Sequence, residues 1–491
     1  MSHSFLYTLF IKSKECGRMK TWYQLFTRHG FNVTEVTTNR IDLSDETAHN
    51  TDYLLHVLKQ LGINHEKEHN DLFLYQAPVT EDCLIEMLDF PTRGKTEACG
   101  YKKGETAIKI DEIDTYIAGL VRQFNRLDLF TTFSCDGHDK NPATIYFELS
   151  IDMAVVERLL KALSIKYRIR NHRVRFLLPR HVMNRRDILL TYAEKLSQLE
   201  PSFLTLSLDD MQQFLMDQTL EQLLKVDGAS GYEYKIRELV AEKLIPYVDH
   251  LTYDDYGNLL AQKTYGNNSG PTLLLNAHLD VVESFSGSRQ IMKHGNVWTS
   301  TDGILGADDR SGVAILLRLA EMLYTKSFNG TIKFIFTINE EVGLLGAKHV
   351  PDLFLWDVDA GIVLDRRGNR DIITGYGQEQ FCHQAYGKYF VETASKLGMF
   401  DWSCQGGGSS DTRIWSEHGI PSVNLSVGYN YEHTEAEQVD TFAMQQTLQL
   451  VTQVVLNTVQ LQRVLRERNK QGKNQKVLRY VTKNEQAMII Y

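Results

Sequence analysis

From residue 272 the chain runs Thr-Leu-Leu-Leu-Asn-Ala-His-Leu-Asp, apolar or small up to His278 and Asp280. An apolar run of this length after Gly270 and Pro271 predicts a buried central strand. Similar runs follow, alternating with helical periodicity. Thr331–Ile338 leads into Asn339-Glu340-Glu341, Ala360–Leu364 into Asp365, and Ile420–Val427 into a loop with His433. Between them the spacing predicts an amphipathic helix from the Asp308 loop to Tyr324, and helices near 344–349, 378–397, 411–419 and 440–465. Strand–helix alternation means a mostly parallel mixed sheet flanked by helices, an α/β fold.

Upstream the pattern differs. Helices are expected over Asp111–Asp128, Met153–Leu163 and Arg185–Leu199. Strands are expected over Thr131–Ser134, Ala143–Leu149, Tyr167–Arg170 and Val174–Leu178. The expected organisation is an α+β N-terminal region (1–105) without legible chemistry and a small α+β domain (106–205). The α/β catalytic domain (206–466) and a basic C-terminal tail (467–491) follow.

Length and composition narrow the class. At 491 residues, several domains are expected. A net charge of −9 argues against a general nucleic-acid binder. The six cysteines form no Cys-x-x-Cys pair, which fits reduced thiols in a cytoplasmic protein. No apolar run reaches the roughly 18 residues of a membrane helix, and the start does not read as a signal peptide. Ser134-Cys-Asp-Gly-His138 reads as a turn. Cys135 and His138 could bind a metal, but two ligands do not make a site.

The chemistry gathers where strands end. His278, Asp308, Glu340, Glu341, Asp365 and His433 all fall at predicted strand ends or just beyond, the side of an α/β sheet where ligands collect. So many acids and imidazoles crowded together would repel or stay unpaired unless cations held them. Histidine and carboxylate donors suit zinc, and cobalt or manganese would also fit. Asp280, two residues after His278, can fix the imidazole tautomer.

His278-Leu-Asp280, Ala307-Asp-Asp-Arg-Ser-Gly312, Asn339-Glu-Glu-Val-Gly343 and Ser410-Asp followed by Gly419-Ile-Pro421 occur in this order. In these motifs residues 210–465 resemble the co-catalytic dinuclear zinc exopeptidases. That clan holds leucine-type, deblocking and glutamyl aminopeptidases, peptidase T, and acylase and carboxypeptidase relatives. Ser230-Gly-Tyr-Glu233 and Asp255-Tyr-Gly-Asn258 are similar to the lead-in of its aminopeptidase branches. The resemblance implies two Zn2+ per chain: one held by His278, Asp308 and Asp365, the other by Asp308, Glu341 and His433, with Asp308 bridging. It implies Glu340 as general base, Asp280 as the group orienting His278, and Asp309 and Asp411 as outer groups. The short His278–Asp308 and Asp365–His433 intervals leave no room for the lid domains of other branches, so the catalytic domain looks minimal. His433-Thr-Glu-Ala-Glu437 looks more like the deblocking branch.

The expected activity is that of a metallo-aminopeptidase acting on peptides. Two alternatives stand beside it: an amidohydrolase, deacylase or dipeptidase acting on small N-acyl amino acids, and a non-catalytic binding protein on the same fold. The expected partner is a peptide or small amide, with no nucleic acid or membrane. Assembly as a homo-oligomer stays open.

Overall fold

The structure, a computed structural model, describes residues 20–95, 108–178 and 186–466. The chain divides into two units, Met1–Gln212 and Gln213–Tyr491. The basic tail proposed for 467–491 lies outside the described residues.

In the second unit, Thr272–His278 is the centre of a nine-stranded sheet. It pairs in parallel with Gly330–Thr337 on one side and Ala360–Arg366 on the other, and Ser422–Ser426 adds in parallel beyond. These four strands are buried almost throughout, as expected of parallel strands covered on both faces. The flanks add antiparallel strands, Leu259–Tyr265 and His250–Tyr253 on one side, Asp371–Tyr376 and Glu379–Gln380 on the other, with Ser403–Gly406 pairing in parallel with Asp371–Tyr376. This is the expected mostly parallel mixed sheet flanked by helices. No helix among the described residues is long and apolar enough to cross a membrane.

The helix expected to be amphipathic, Ala307–Thr325, is instead buried on nearly every face. It even encloses an Arg318–Glu321 pair. A buried ion pair inserts charge into the pattern without implying a solvent face. The helix expected over 378–397 starts later, at Gln384, capped by His383. The residues before it complete a hairpin in which Gly375 pairs with Gln380. The last helix, Thr441–Leu456, breaks at Asn457 before helix resumes over 458–466.

A small sheet was not anticipated. Ile291–His294, Val297–Ser300, Gln438–Asp440 and Tyr429–Asn430 pair in that order. Tyr429 lies opposite Val439, so the intervening residues form a closed hairpin that carries His433 and Glu437.

The first unit repeats one plan. Trp22–Arg28, the hairpin Thr34–Thr37/Arg40–Asp42, Ala48–Gln60, the hairpin His65–Glu68/Asp71–Leu74 and Glu81–Leu88 form the first copy. Ala118–Arg126, Thr131–Cys135/Thr144–Phe147, Met153–Ala162, Tyr167–Arg170/Arg173–Phe176 and Asp187–Ser197 form the second. In both, the four-stranded antiparallel sheet runs first, second, fourth, third. The copies differ at the first hairpin. Thr38 and Asn39 alone join its strands in the first copy, while residues 136–143 join them in the second.

One expected helix is corrected here. Asp111–Asp128 is not continuous: a 3-10 turn covers Ile110–Glu112 and the helix begins at Ala118. The buried Arg93 guanidinium donates to the carbonyls of Leu88, Ile110 and Ile113. It satisfies backbone acceptors that helix hydrogen bonds would otherwise need to fill. The isoleucine spacing alone could not show this.

Candidate metal centre

All four parallel strands of the second unit deliver a functional group at the same edge. His278 is the last residue of its strand. Glu340 and Glu341 follow Gly330–Thr337, Asp365 closes Ala360–Arg366, and His433 lies on the hairpin after Ser422–Ser426. Asp308 enters from the start of the helix Ala307–Thr325, where Asp308 and Asp309 leave helical geometry.

The side chains converge. His278 Nε2 lies 3.1 Å from Asp308 Oδ1 and 3.6 Å from Asp365 Oδ1. His433 Nε2 lies 3.3 Å from Asp308 Oδ2 and 2.9 Å from Glu341 Oε1. Asp308 therefore turns one carboxylate oxygen toward each histidine. Two sets of donors each place their ligand atoms within 4.8 Å of one another: His278, Asp308 and Glu341, and His278, Asp309 and Asp365.

Asp309 differs from Asp308 in what its oxygens already do. They accept from the backbone N–H groups of His278 (3.2 Å) and Gly312 (2.9 Å). The carboxylate thus joins the strand end to the helix start.

An outer layer holds the donors. His278 Nδ1 sits 3.1 Å from the Asp280 carbonyl oxygen, nearer than the Asp280 carboxylate at 3.5 Å. That carboxylate instead accepts from the N–H groups of Glu340 (2.9 Å) and Glu341 (3.0 Å) and from Ser230 Oγ (2.8 Å). The same turn is held from two further sides. Glu233 accepts from Asn339 N–H (3.1 Å) and Asn258 from Ile338 N–H (3.1 Å). The lead-in motifs around Ser230 and Asn258 are thus clamps on the Glu340–Glu341 turn. Beneath it, Thr337 donates to the buried Asp411 carboxylate (2.5 Å). Arg310, also buried, donates to the Leu279 and Val226 carbonyls.

Two supporting residues had no assigned role in the sequence. Tyr429 is buried and its hydroxyl donates to Asp365 Oδ1 (3.0 Å). Glu437 is buried and accepts from Gly306 N–H (2.7 Å) and Asp308 N–H (3.0 Å), fixing the Asp308 loop. Only the placement of Glu437 four residues after His433 hinted at this. Outside this cluster, His383 caps its helix (Ala385 N–H to Nδ1, 3.2 Å) and His418 contacts the Ile414 carbonyl (2.9 Å). His294 stands exposed on a strand.

The charges are unbalanced. Burial pushes the Glu340 carboxyl well above its ordinary value, helped by Asp365, Asp411 and Glu341. Burial likewise raises Glu341 and Asp411, each to about 7, and Asp365 as well. The hydrogen bond to Asp308 leads those that raise His433 to about 9. Carboxylates and imidazoles thus retain protons to offset one another. This donor chemistry fits cations of the zinc type, which would supply the compensating charge directly.

A family model described as Peptidase family M28 matches residues 258–459, a span that includes every donor named above. Residues 258–459 are a Peptidase family M28 domain. Among curated relatives, an uncharacterized protein YqjE of Bacillus subtilis (strain 168) is 30% identical over 163 residues, covering 31% of this chain and 43% of its own length. A putative aminopeptidase of Acetivibrio thermocellus is 21% identical over 326 residues, covering 48% of this chain and 97% of its own. The chain thus spans less than half of the former and nearly all of the latter. Among solved structures, the aminopeptidase PepT of Bacillus cereus ATCC 10987 aligns with 20% identity and a TM-score of 0.47. It covers 50% of this chain and 99% of its own. The M28 match begins at Asn258, one of the residues that clamp the Glu340–Glu341 turn.

Proposed function

We propose that the M28 domain acts as a metallo-aminopeptidase, removing N-terminal residues from peptides with two zinc ions and a glutamate base. The observation that carries this reading is Asp308, which presents one oxygen to His278 and the other to His433. His278, Asp308 and Asp365 would hold one ion. Asp308, Glu341 and His433 would hold the second. Asp309 is also within reach of His278 and Asp365, but its oxygens are engaged by backbone N–H groups, so Asp308 is the better bridge. With Nδ1 of His278 facing the Asp280 carbonyl, Nε2 is left to face the ion.

Bound there, the ions would polarise the scissile carbonyl and make water more acidic. Glu340 does the proton work. Its carboxyl is buried beside the proposed ligands, where a general base must stand. It takes a proton from the attacking water and passes it to the departing amine. Asp280 positions both glutamates by gripping their N–H groups. It is a positioning residue for Glu340 and Glu341 as much as for His278.

Kinetic and metal analysis of Glu340→Gln tests the assignment. Retained metal with lost hydrolysis is expected, and normal turnover would refute the role of Glu340. Aminoacyl anilides compared with N-acyl amino acids test the substrate class. Turnover of the acylated set alone would replace the aminopeptidase reading with a deacylase one.

A further inference from the structure

The eight-residue connection found only in the second copy of the first unit's repeat brings together a donor set that the sequence did not show. Cys135 ends the strand before it, and Asp136 and His138 come from the loop. Asp114 comes from the bend that interrupts the expected helix. One Sγ, one imidazole nitrogen and two carboxylate oxygens lie within 4.8 Å of one another. We infer that Asp114, Cys135, Asp136 and His138 form a structural site for a zinc-type divalent cation in the first unit.

The donor types favour such an ion. Thiolate and imidazole select zinc-type metals over calcium or magnesium, and four protein donors fill a tetrahedral shell. A filled shell leaves no open position, so the ion would staple the loop rather than catalyse. Ligands at about 2.0–2.3 Å in a tetrahedron stand roughly 3.3–3.8 Å apart. One separation is already in this range, His138 Nδ1 to Asp136 Oδ1 at 3.3 Å; the other imidazole nitrogen, Nε2, lies 3.9 Å from Asp114 Oδ2. The imidazole is largely exposed, so it can swing to present either nitrogen.

The surroundings fit as well. Asp136 lends its other oxygen to Arg186 (3.0 Å), the kind of outer partner that ligating carboxylates keep. A thiolate, two carboxylates, the Arg186 guanidinium and a divalent ion together sum to zero charge. Asp114 is buried and accepts from Asp136 N–H (3.0 Å), so the two carboxylate residues are already tied together. Gly94 leaves the space that Asp114 occupies: a Cβ there would fall 1.8 Å from Asp114 Oδ1. Asp136 is equally buried and receives His138 N–H (2.8 Å). In the first copy of the repeat the equivalent turn, Thr38-Asn39, offers none of these donors.

The test uses the full chain loaded with cobalt. Thiolate–cobalt coordination gives a charge-transfer absorption in the near ultraviolet. The M28 cluster has no sulfur donor, so the signal separates this site from that one even if the aminopeptidase reading fails. Expected results are a thiolate–cobalt band in the full chain, its loss in Cys135→Ser, and one fewer metal per chain in both Cys135→Ser and His138→Ala. Peptide hydrolysis should be unchanged in both. His138 is exposed, so His138→Ala keeps the test open if Cys135→Ser misfolds. Zinc should also protect Cys135 from alkylation at least tenfold, while the exposed Cys83 and Cys404 react at unchanged rates. No sulfur band in the cobalt-loaded chain, or an unchanged metal count in His138→Ala, would overturn the proposal.

Discussion

His278 ends a strand sealed on both faces, while His138 stands on a loop with most of its ring in solvent. Both belong to clusters of acids and imidazoles, yet the supports differ. Around His278, its own N–H and those of Glu340, Glu341 and Asp308 are each held by a carboxylate from another element. The cluster is fixed before anything binds, as a reaction centre requires. Around His138 the contacts are mostly local, from Cys135 to Asp139 with Asp114 and Arg186. The two carboxylates there are buried and tied together, but the His138 ring lies mostly in solvent, so an ion would order that last donor. The contrast is between a site that is preorganised and one that binding would organise.

The largest effect that would break this contrast lies at Glu340. Glu340→Gln should cost about 10²–10⁴ in turnover with metal retained, as expected for loss of a general base. Single-turnover kinetics with metal analysis check it. Loss of the metal together with the rate would mean the site is not preorganised independently of that carboxylate.

Next is the response to chelation and pH. Burial raises the Glu341 carboxyl from 4.5 to about 7 in the folded chain. The folded state then binds more protons than the unfolded one between those values. Stability is present below about 4.5 and is lost as pH rises toward 7. His433, raised to about 9, adds a loss in the same direction above its ordinary value of 6.5. With chelator, melting temperature should therefore fall as pH rises through this range. With zinc the trend should reverse, because ligands must lose protons to bind. A pH-independent melting temperature in chelator would show that the buried acids are not stressed.

Asp280→Asn comes third. Asn replaces one acceptor oxygen with a donor that faces N–H groups, so the Glu340–Glu341 turn loses a clamp. A loss of about 10–100-fold in metal affinity or turnover is expected, with the fold intact by circular dichroism. An unchanged rate would mean that Ser230, Glu233 and Asn258 hold the turn without it.

How much of this was legible follows from chemistry. Buried parallel strands leave long apolar runs, so the central strands, and with them the shared edge that gathers His278, Glu340, Glu341 and Asp365, could be read directly. Supports of the site were harder to read. Asp280 acts through main-chain N–H groups, and nothing in its neighbours on the chain marks which turn it will hold. The small sheet escaped notice because strands as short as Tyr429–Asn430 leave no periodicity. In the first unit, the donor set was half visible: Cys135 and His138 are close in sequence, but Asp114 reaches them only because the helix expected there is interrupted. Arg93 donates to the Ile110 and Ile113 carbonyls at that interruption, an interaction between segments that spacing cannot show.

The smallest effect tests how far the preorganised side of the comparison extends. Tyr429 donates one hydrogen bond to Asp365 and packs its ring in the core. Tyr429→Phe keeps the ring and removes only the hydroxyl. A net hydrogen bond to a charged group is worth about 1.5–3 kcal/mol, but Asp365 is also raised by burial and shares its charge with His278. The lower part of that range applies, giving about a tenfold weaker metal affinity at the site that includes Asp365. The partner site through Glu341 and His433 should stay unaffected, so competition titration should show one ion weakened and the other unchanged. Equal weakening of both would mean that Asp308 transmits the change, and that the buried cluster behaves as one unit rather than two.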